Sequence, residues 1–166
     1  MGHAAYPSWW VAATWLLASV ILQVALAPYI AIRDTVPSFT LLAVMWYALR
    51  VDVGRAVLFG FVVGMIEDAL SGGGGGWALA TATVAALAGT LSRNFFADSI
   101  PLMAFVAAFG TFVRDGIYWI VELFEGYPSG MGTRHLHQSI IQSLYDAALA
   151  IVLVLLARHW ERTRLS

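Results

Sequence analysis

Apolar stretches separated by short charged or glycine-rich breaks follow one another along the whole chain. The first, Trp9 to Ile32, contains no charged residue. Since a membrane-spanning helix needs about 20 mostly apolar residues, the pattern predicts six helices, at approximately residues 9–32, 37–49, 55–70, 77–92, 101–124 and 136–160. The second is short for a full crossing, so we expect neighbouring helices to shield it or the bilayer to thin around it. A five-helix arrangement with a re-entrant second segment is the alternative.

Composition strengthens this interpretation. The chain is 60% hydrophobic and 11% charged, whereas globular domains are about 45–50% apolar and about 25% charged. A soluble domain of this size could not bury the excess, so we expect a single all-α membrane domain over residues 1–166 rather than a soluble enzyme. Ala25-Leu26-Ala27 resembles a signal-peptidase site, but no Lys or Arg precedes it, which favours a retained first helix. The absence of cysteine excludes disulfides and zinc–thiolate sites, and a net charge of -1 gives no indication of a nucleic-acid partner.

The arginines predict an orientation, because short cytoplasmic loops carry the positive excess. With six crossings, only Arg33 and Arg134 fall on the side opposite the termini. The arginines on the same side as the termini are Arg50, Arg55, Arg93, Arg158, Arg162 and Arg164. We therefore expect a multi-pass protein of the cytoplasmic membrane with both termini in the cytoplasm.

Small residues repeat at every fourth position of the third helix, at Ala56, Gly60 and Gly64, followed by Asp68. Residues at this spacing share one helix face, and small side chains allow close helix approach in lipid. Tight packing within the chain is the favoured interpretation. The alternative is a groove that docks a partner's transmembrane helix.

Charged residues interrupt the apolar helices at Glu67 and Asp68 and again at Arg114 and Asp115. A lone charge within the bilayer costs about 2.5–3.5 kcal/mol on the insertion scale, so such groups pair with one another. Adjacent side chains on a helix diverge by about 100°, which predicts that Arg114 pairs across helices, with Asp68 or Asp146. A structural ion pair is favoured, with a partner-facing polar patch and a proton or ion path as alternatives.

A polar stripe runs along the sixth helix through Gln138, Gln142 and Asp146. It must face the bundle interior or another protein, so interhelical hydrogen bonding is expected, and a substrate-lined cavity is the alternative. His135 and His137 have no third ligand at metal-binding spacing. No catalytic array and no phosphate-binding loop can be identified, so no catalytic, cofactor or metal site is expected.

The order of several motifs resembles the bacterial rod shape-determining protein MreD family. The motifs are Pro37 opening an apolar stretch that ends Met45-Trp46-Tyr47-Ala48-Leu49-Arg50, then Gly60-Phe61-Val62-Val63-Gly64, Glu67-Asp68, Ser71-Gly72 and Arg114-Asp115 with Glu122. Ser38 departs from the pattern, because the family often has Asp or Asn after this proline. If that residue helps to bind a partner, this chain binds it differently or not at all.

The resemblance implies a non-enzymatic scaffold of the cell-wall elongation machinery. Its partners would be an MreC-like single-pass protein, a RodA-type glycosyltransferase, a penicillin-binding transpeptidase and, indirectly, the MreB filament. The family is also similar in architecture to the six-helix substrate-binding subunits of energy-coupling-factor transporters. The alternative function is therefore a vitamin-binding subunit, with Trp77, Tyr127 and the polar stripe of the sixth helix lining its pocket.

Overall fold

A computed structural model describes residues 7–32, 35–72, 74–91, 99–126 and 132–164, with side chains up to residue 156. Over these residues the chain is all-helical, with six α-helices and no strand. The helices are α1 (Trp9–Ala25), α2 (Phe39–Ala48), α3 (Val53–Ser71), α4 (Gly76–Leu91), α5 (Ile100–Phe124) and α6 (Gly132–Arg164), with a short 3-10 helix at Ala27–Ile30. Arg33, Arg93 and Tyr127, to which the sequence gives possible roles, lie outside the described residues.

The first and last helices differ most from the predicted bounds. α1 ends at Ala25, and the chain tightens into the 3-10 helix, which has Pro28 in its first turn. Proline has no backbone N–H and clashes with the preceding helical turn, so it stops the α-helix before residue 32. α6 begins at Gly132, one turn earlier than expected, and continues to Arg164.

The short helix α2 forms the centre of the bundle. Nine of its 10 residues are buried, and it contacts α1, α3, α4 and α5. Leu41, Val44, Met45 and Tyr47 are fully enclosed there. Neighbouring helices therefore surround α2, which allows it to be shorter than a membrane-spanning helix.

The exterior of the bundle is strongly apolar. Large exposed hydrophobic side chains occur on every helix except α2, including Trp10, Phe61, Leu79, Phe105 and Leu156. Two segments, Ile100–Phe124 and Gly132–Leu156, are long and apolar enough to cross a membrane, whereas the apolar helices α1, α2 and α4 are shorter. So much exposed apolar surface is unfavourable in water and suits contact with lipid.

Candidate functional site

The small-residue face of α3 packs against α4. Ala56, Gly60 and Gly64 are buried. A Cβ atom on Gly60 would lie 2.6 Å from the Cβ atom of Ala85, and one on Gly64 would lie 2.5 Å from the Cα atom of Ala78. In this arrangement α4 occupies the position that a partner helix would need.

Arg114 is the buried cation of the interior, only 3% exposed. Its Nη1 donates to the hydroxyl of Ser38 at 2.9 Å and to a carboxylate oxygen of Glu67 at 3.3 Å, and its guanidinium lies 4.8 Å from the ring centre of Trp77. Its Nε lies 3.7 Å from Oδ1 of Asp115, and neither atom has a hydrogen-bond partner among the described residues.

The prediction that Arg114 pairs with Asp68 or Asp146 is therefore wrong, because both of these carboxylates bind elsewhere. The cross-helix partner is Glu67, whose second oxygen accepts from the hydroxyl of Thr81 at 3.2 Å. The hydroxyl of Thr40 donates to the first oxygen of Glu67. One carboxylate thus connects α2, α3, α4 and α5.

Asp68 caps the beginning of α4. Its two oxygens accept from the backbone N–H groups of Trp77, at 3.1 Å, and Ala78, at 2.9 Å. The first N–H groups of a helix have no partner within the helix and carry partial positive charge, so a carboxylate satisfies both needs. Gly72 at φ 71° and Gly75 at φ 97° allow the chain to return from α3 to this position.

Asp146 performs the same task for α2. It is fully buried, and it accepts from the backbone N–H of Ser38 at 2.9 Å and from the hydroxyl of Thr111 at 2.8 Å. The Ser38 hydroxyl in turn accepts from the N–H of Leu41 at 3.2 Å, which is an N-cap bond. Ser38 therefore joins α2 to both α5 and α6.

Gln23 is a residue to which the sequence analysis assigns no role. Its amide donates to the carbonyl of Pro37 at 3.1 Å and accepts from the N–H of Phe39 at 2.8 Å. It thus fixes α1 to the beginning of α2. The sequence feature that could have revealed this role is a large polar amide within a long, uncharged apolar stretch. Such a group must find hydrogen-bond partners when it is buried.

Several of the polar residues described above line a cavity of about 430 Å³ at one end of the bundle. We call this the polar end, where α1 and α3 end and α2 and α4 begin. Its lining comprises Gln23, Val24, Thr35, Val36, Ser38, Thr40, Glu67, Leu70, Ser71, Trp77, Arg114, Gln138 and Gln142. The volume falls within the range of about 300–1,000 Å³ typical of small-ligand sites.

Much of the polar lining of the cavity is already hydrogen-bonded, but α6 contributes groups that are not. The side chains of Gln138 and Gln142, one turn apart, make no hydrogen bond within the described part of the chain, and neither does Nη2 of Arg114. The cavity therefore offers amide donors and acceptors and one cationic donor, beside the indole of Trp77. Trp77 is stacked on Tyr118 with ring centres 3.9 Å apart.

The remaining predicted residues do not join this cavity. Asp115 and Asp146 are absent from its lining. His135 packs against the ring of Trp119, 4.4 Å between ring centres. Within the described residues, no group of three or more metal-binding side chains comes together.

Comparison with known proteins gives the family. The family model described as rod shape-determining protein MreD matches residues 6–163. No match was found among curated proteins or among solved structures. The match covers nearly the whole chain, all six helices included, and confirms the resemblance carried by the motifs between Pro37 and Gly72. The chain belongs to the MreD family of rod shape-determining proteins.

Proposed function

We propose that the protein is a membrane scaffold subunit of the cell-wall elongation machinery and that it holds an MreC-like single-pass partner. Family membership supports a role in rod shape. A non-catalytic role is consistent with the interior, where Asp68 and Asp146 cap helices and Glu67 pairs with Arg114. A RodA-type glycosyltransferase, a penicillin-binding transpeptidase and, indirectly, the MreB filament complete the proposed assembly.

We further propose that all six helices cross the inner membrane with both termini in the cytoplasm. The distribution of arginines supports this, because Arg50 and Arg55 follow the end of α2 and so lie away from the polar end. In this orientation the polar end and its cavity face the extracytoplasmic side. An MreC-like protein, with one transmembrane helix and a large external domain, has its membrane-proximal segment on that side.

The cavity is the observation that carries the proposal. Gln138 and Gln142 offer donors and acceptors that suit a peptide backbone. Arg114 already faces Glu67 and Asp115, so its Nη2 suits a neutral carbonyl better than another full charge. The small-residue face of α3 supports a partner site less well, since α4 covers it. The cavity is therefore the proposed seat of the partner's membrane-proximal segment.

Co-purification from the native membrane in mild detergent tests this proposal. Gln138→Leu with Gln142→Leu removes the free amides while keeping side-chain size, and two lost hydrogen bonds, of about 1–3 kcal/mol together, correspond to binding weakened about 5- to 150-fold. Ile140→Leu, on the exposed side of the same helix, is the matched control and should retain the partner. Unchanged recovery with the double variant would reject the cavity, and recovery of transport ATPases or a bound vitamin would favour a solute-binding subunit instead.

A further inference from the structure

A cluster of indoles and guanidinium groups lies at the end of the bundle where α2 ends and α3 begins. We call Trp9, Trp46, Arg50 and Arg55 the arginine–indole cluster. The guanidinium of Arg50 lies 4.5 Å from the ring centre of Trp46 and donates to its backbone carbonyl at 2.9 Å. The guanidinium of Arg55 lies 5.8 Å from the ring centre of Trp9. Each cation is thus oriented by an aromatic face.

The segment that joins α2 to α3 carries more positive than negative charge. Between Arg50 and Arg55 the chain carries two guanidinium groups and one carboxylate, that of Asp52. Asp52 accepts from the backbone N–H of Arg55 at 3.1 Å as the N-cap of α3 and pairs with its side chain at 3.5 Å. Both side chains of this pair are about 40% exposed (41% and 39%), and exposed pairs are worth only about 0–1 kcal/mol. An anion of higher charge density can therefore compete for Arg55.

Beside the cluster lies a buried hydroxyl that has no partner. Tyr47 is 0% exposed, and its hydroxyl makes no hydrogen bond within the described residues. The Tyr47 ring lies 6.4 Å from that of Trp9, the indole beside which the guanidinium of Arg55 lies. Buried polar groups are nearly always satisfied, so a hydroxyl without a partner, separated from the guanidinium of Arg55 by one indole ring, points to an oxygen-rich anion.

We propose that the arginine–indole cluster binds the phosphate of an anionic phospholipid headgroup. Guanidinium groups bind phosphate oxygens through two parallel hydrogen bonds. Indoles favour the depth of the headgroups, and basic residues at the membrane surface attract anionic lipids. Trp9 packs beside Tyr47 and is itself 49% exposed, so we expect displacement of this one indole to give a phosphate oxygen access to the hydroxyl. This site is separate from the cavity and does not depend on the protein partner proposed above.

Native mass spectrometry of the full chain tests the proposal by measuring retained phosphatidylglycerol against phosphatidylcholine. Wild type should retain phosphatidylglycerol preferentially. Arg50→Gln and Arg55→Gln should each weaken that retention about fivefold, the effect expected for one basic residue at an anionic surface. Arg134→Gln, in the first turn of α6 at the opposite end, is the matched control and should change nothing. Equal retention of the two lipids, or unchanged retention in both variants, would overturn the proposal.

Further variants separate the other outcomes. Tyr47→Phe should weaken phosphatidylglycerol retention and raise thermal stability in phosphatidylcholine, because it removes a hydroxyl without a partner. If the glutamine variants do not fold, Arg50→Lys with Arg55→Lys replaces them; it should still bind more weakly than wild type, since lysine cannot bind bidentately. Protection from thermal unfolding by inorganic phosphate equal to that by phosphatidylglycerol would assign a free anion instead. If an acidic protein co-purified with wild type but not with the glutamine variants, and lipid retention were unchanged, the cluster would be assigned to a protein ligand.

Discussion

Replacement of Asp146 by asparagine and by leucine, two side chains of similar size, separates its hydrogen bonding from its charge. In the structure, one carboxylate oxygen accepts from the Ser38 N–H and the other accepts from the Thr111 hydroxyl. The single proton of this hydroxyl is shared with the carbonyl of Ala107, whose oxygen lies 2.9 Å away. Asparagine can keep both contacts, because its oxygen accepts from Ser38 while its amide donates to a threonine hydroxyl that still binds Ala107. Leucine can keep neither.

The expected magnitudes follow from these contacts. Asp146→Leu leaves the Ser38 N–H buried without an acceptor, which costs about 1–3 kcal/mol, and it removes an anion from the beginning of α2, which costs about 0.3–1 kcal/mol. We therefore expect a loss of about 1–4 kcal/mol in the free energy of unfolding. Asp146→Asn loses only the charge at the helix terminus, so about 1 kcal/mol or less is expected.

Reversible unfolding in mixed micelles, followed by circular dichroism, measures both variants. The decisive quantity is the difference between the free energies of unfolding of the two variants, because the wild-type value cancels. If Asp146→Asn destabilised the protein as much as Asp146→Leu, the carboxylate would be required for its charge and not for its two hydrogen bonds. The account of Asp146 as the cap of α2 would then be refuted.

Three other predictions concern packing, capping and the ion pair. Gly64→Ala should destabilise the bundle by about 1–3 kcal/mol in the same unfolding assay, because its Cβ would meet the backbone of α4; Gly116→Ala, where a Cβ meets nothing within 4 Å, should be neutral or stabilise by up to about 1 kcal/mol, and the reverse order would contradict the packing. Asp68→Ala should cost about 2 kcal/mol through two orphaned N–H groups, with Asp68→Asn intermediate because it keeps one acceptor oxygen; a loss in Asp68→Asn equal to that in Asp68→Ala would contradict capping by two separate hydrogen bonds. For the ion pair, the losses in Glu67→Gln and Arg114→Met should add up to about 1–3 kcal/mol more than the loss in the double variant, as measured by a double-mutant cycle; additive losses would show that the two side chains do not interact.

The helices were predictable because each is a long apolar run with a clear interruption. The helices predicted to begin at residues 9, 37, 55, 77 and 101 each begin within two residues of an observed helix start, since charged residues, proline or glycine mark those positions. The break after Ala25 was missed. Pro28 was present in the sequence, but the apolar character of the residues after it concealed the change from an α-helix to a 3-10 helix.

The partners of the charged residues were not predictable, because they depend on helix rotation and depth. Glu67 and Asp68 are neighbours in sequence, yet one reaches Arg114 and the other reaches the start of α4. From their spacing, both carboxylates are equally suitable partners for Arg114. Spacing also does not reveal that the backbone N–H groups at the start of a buried helix can bind a carboxylate instead. Ser38 shows the opposite case: although it departs from the family pattern of Asp or Asn, its hydroxyl still caps α2.

The interior polar groups divide by whether their hydrogen-bonding capacity is already used. Asp68 and Asp146 bind backbone N–H groups at the starts of α4 and α2. If their replacement abolished control of cell shape, the cause would be loss of the fold. Gln138 and Gln142 have unused capacity and line the cavity, so their replacement should weaken partner binding while leaving the free energy of unfolding nearly unchanged. Measuring unfolding and co-purification on the same variants therefore separates residues that stabilise the helix bundle from residues that bind the partner.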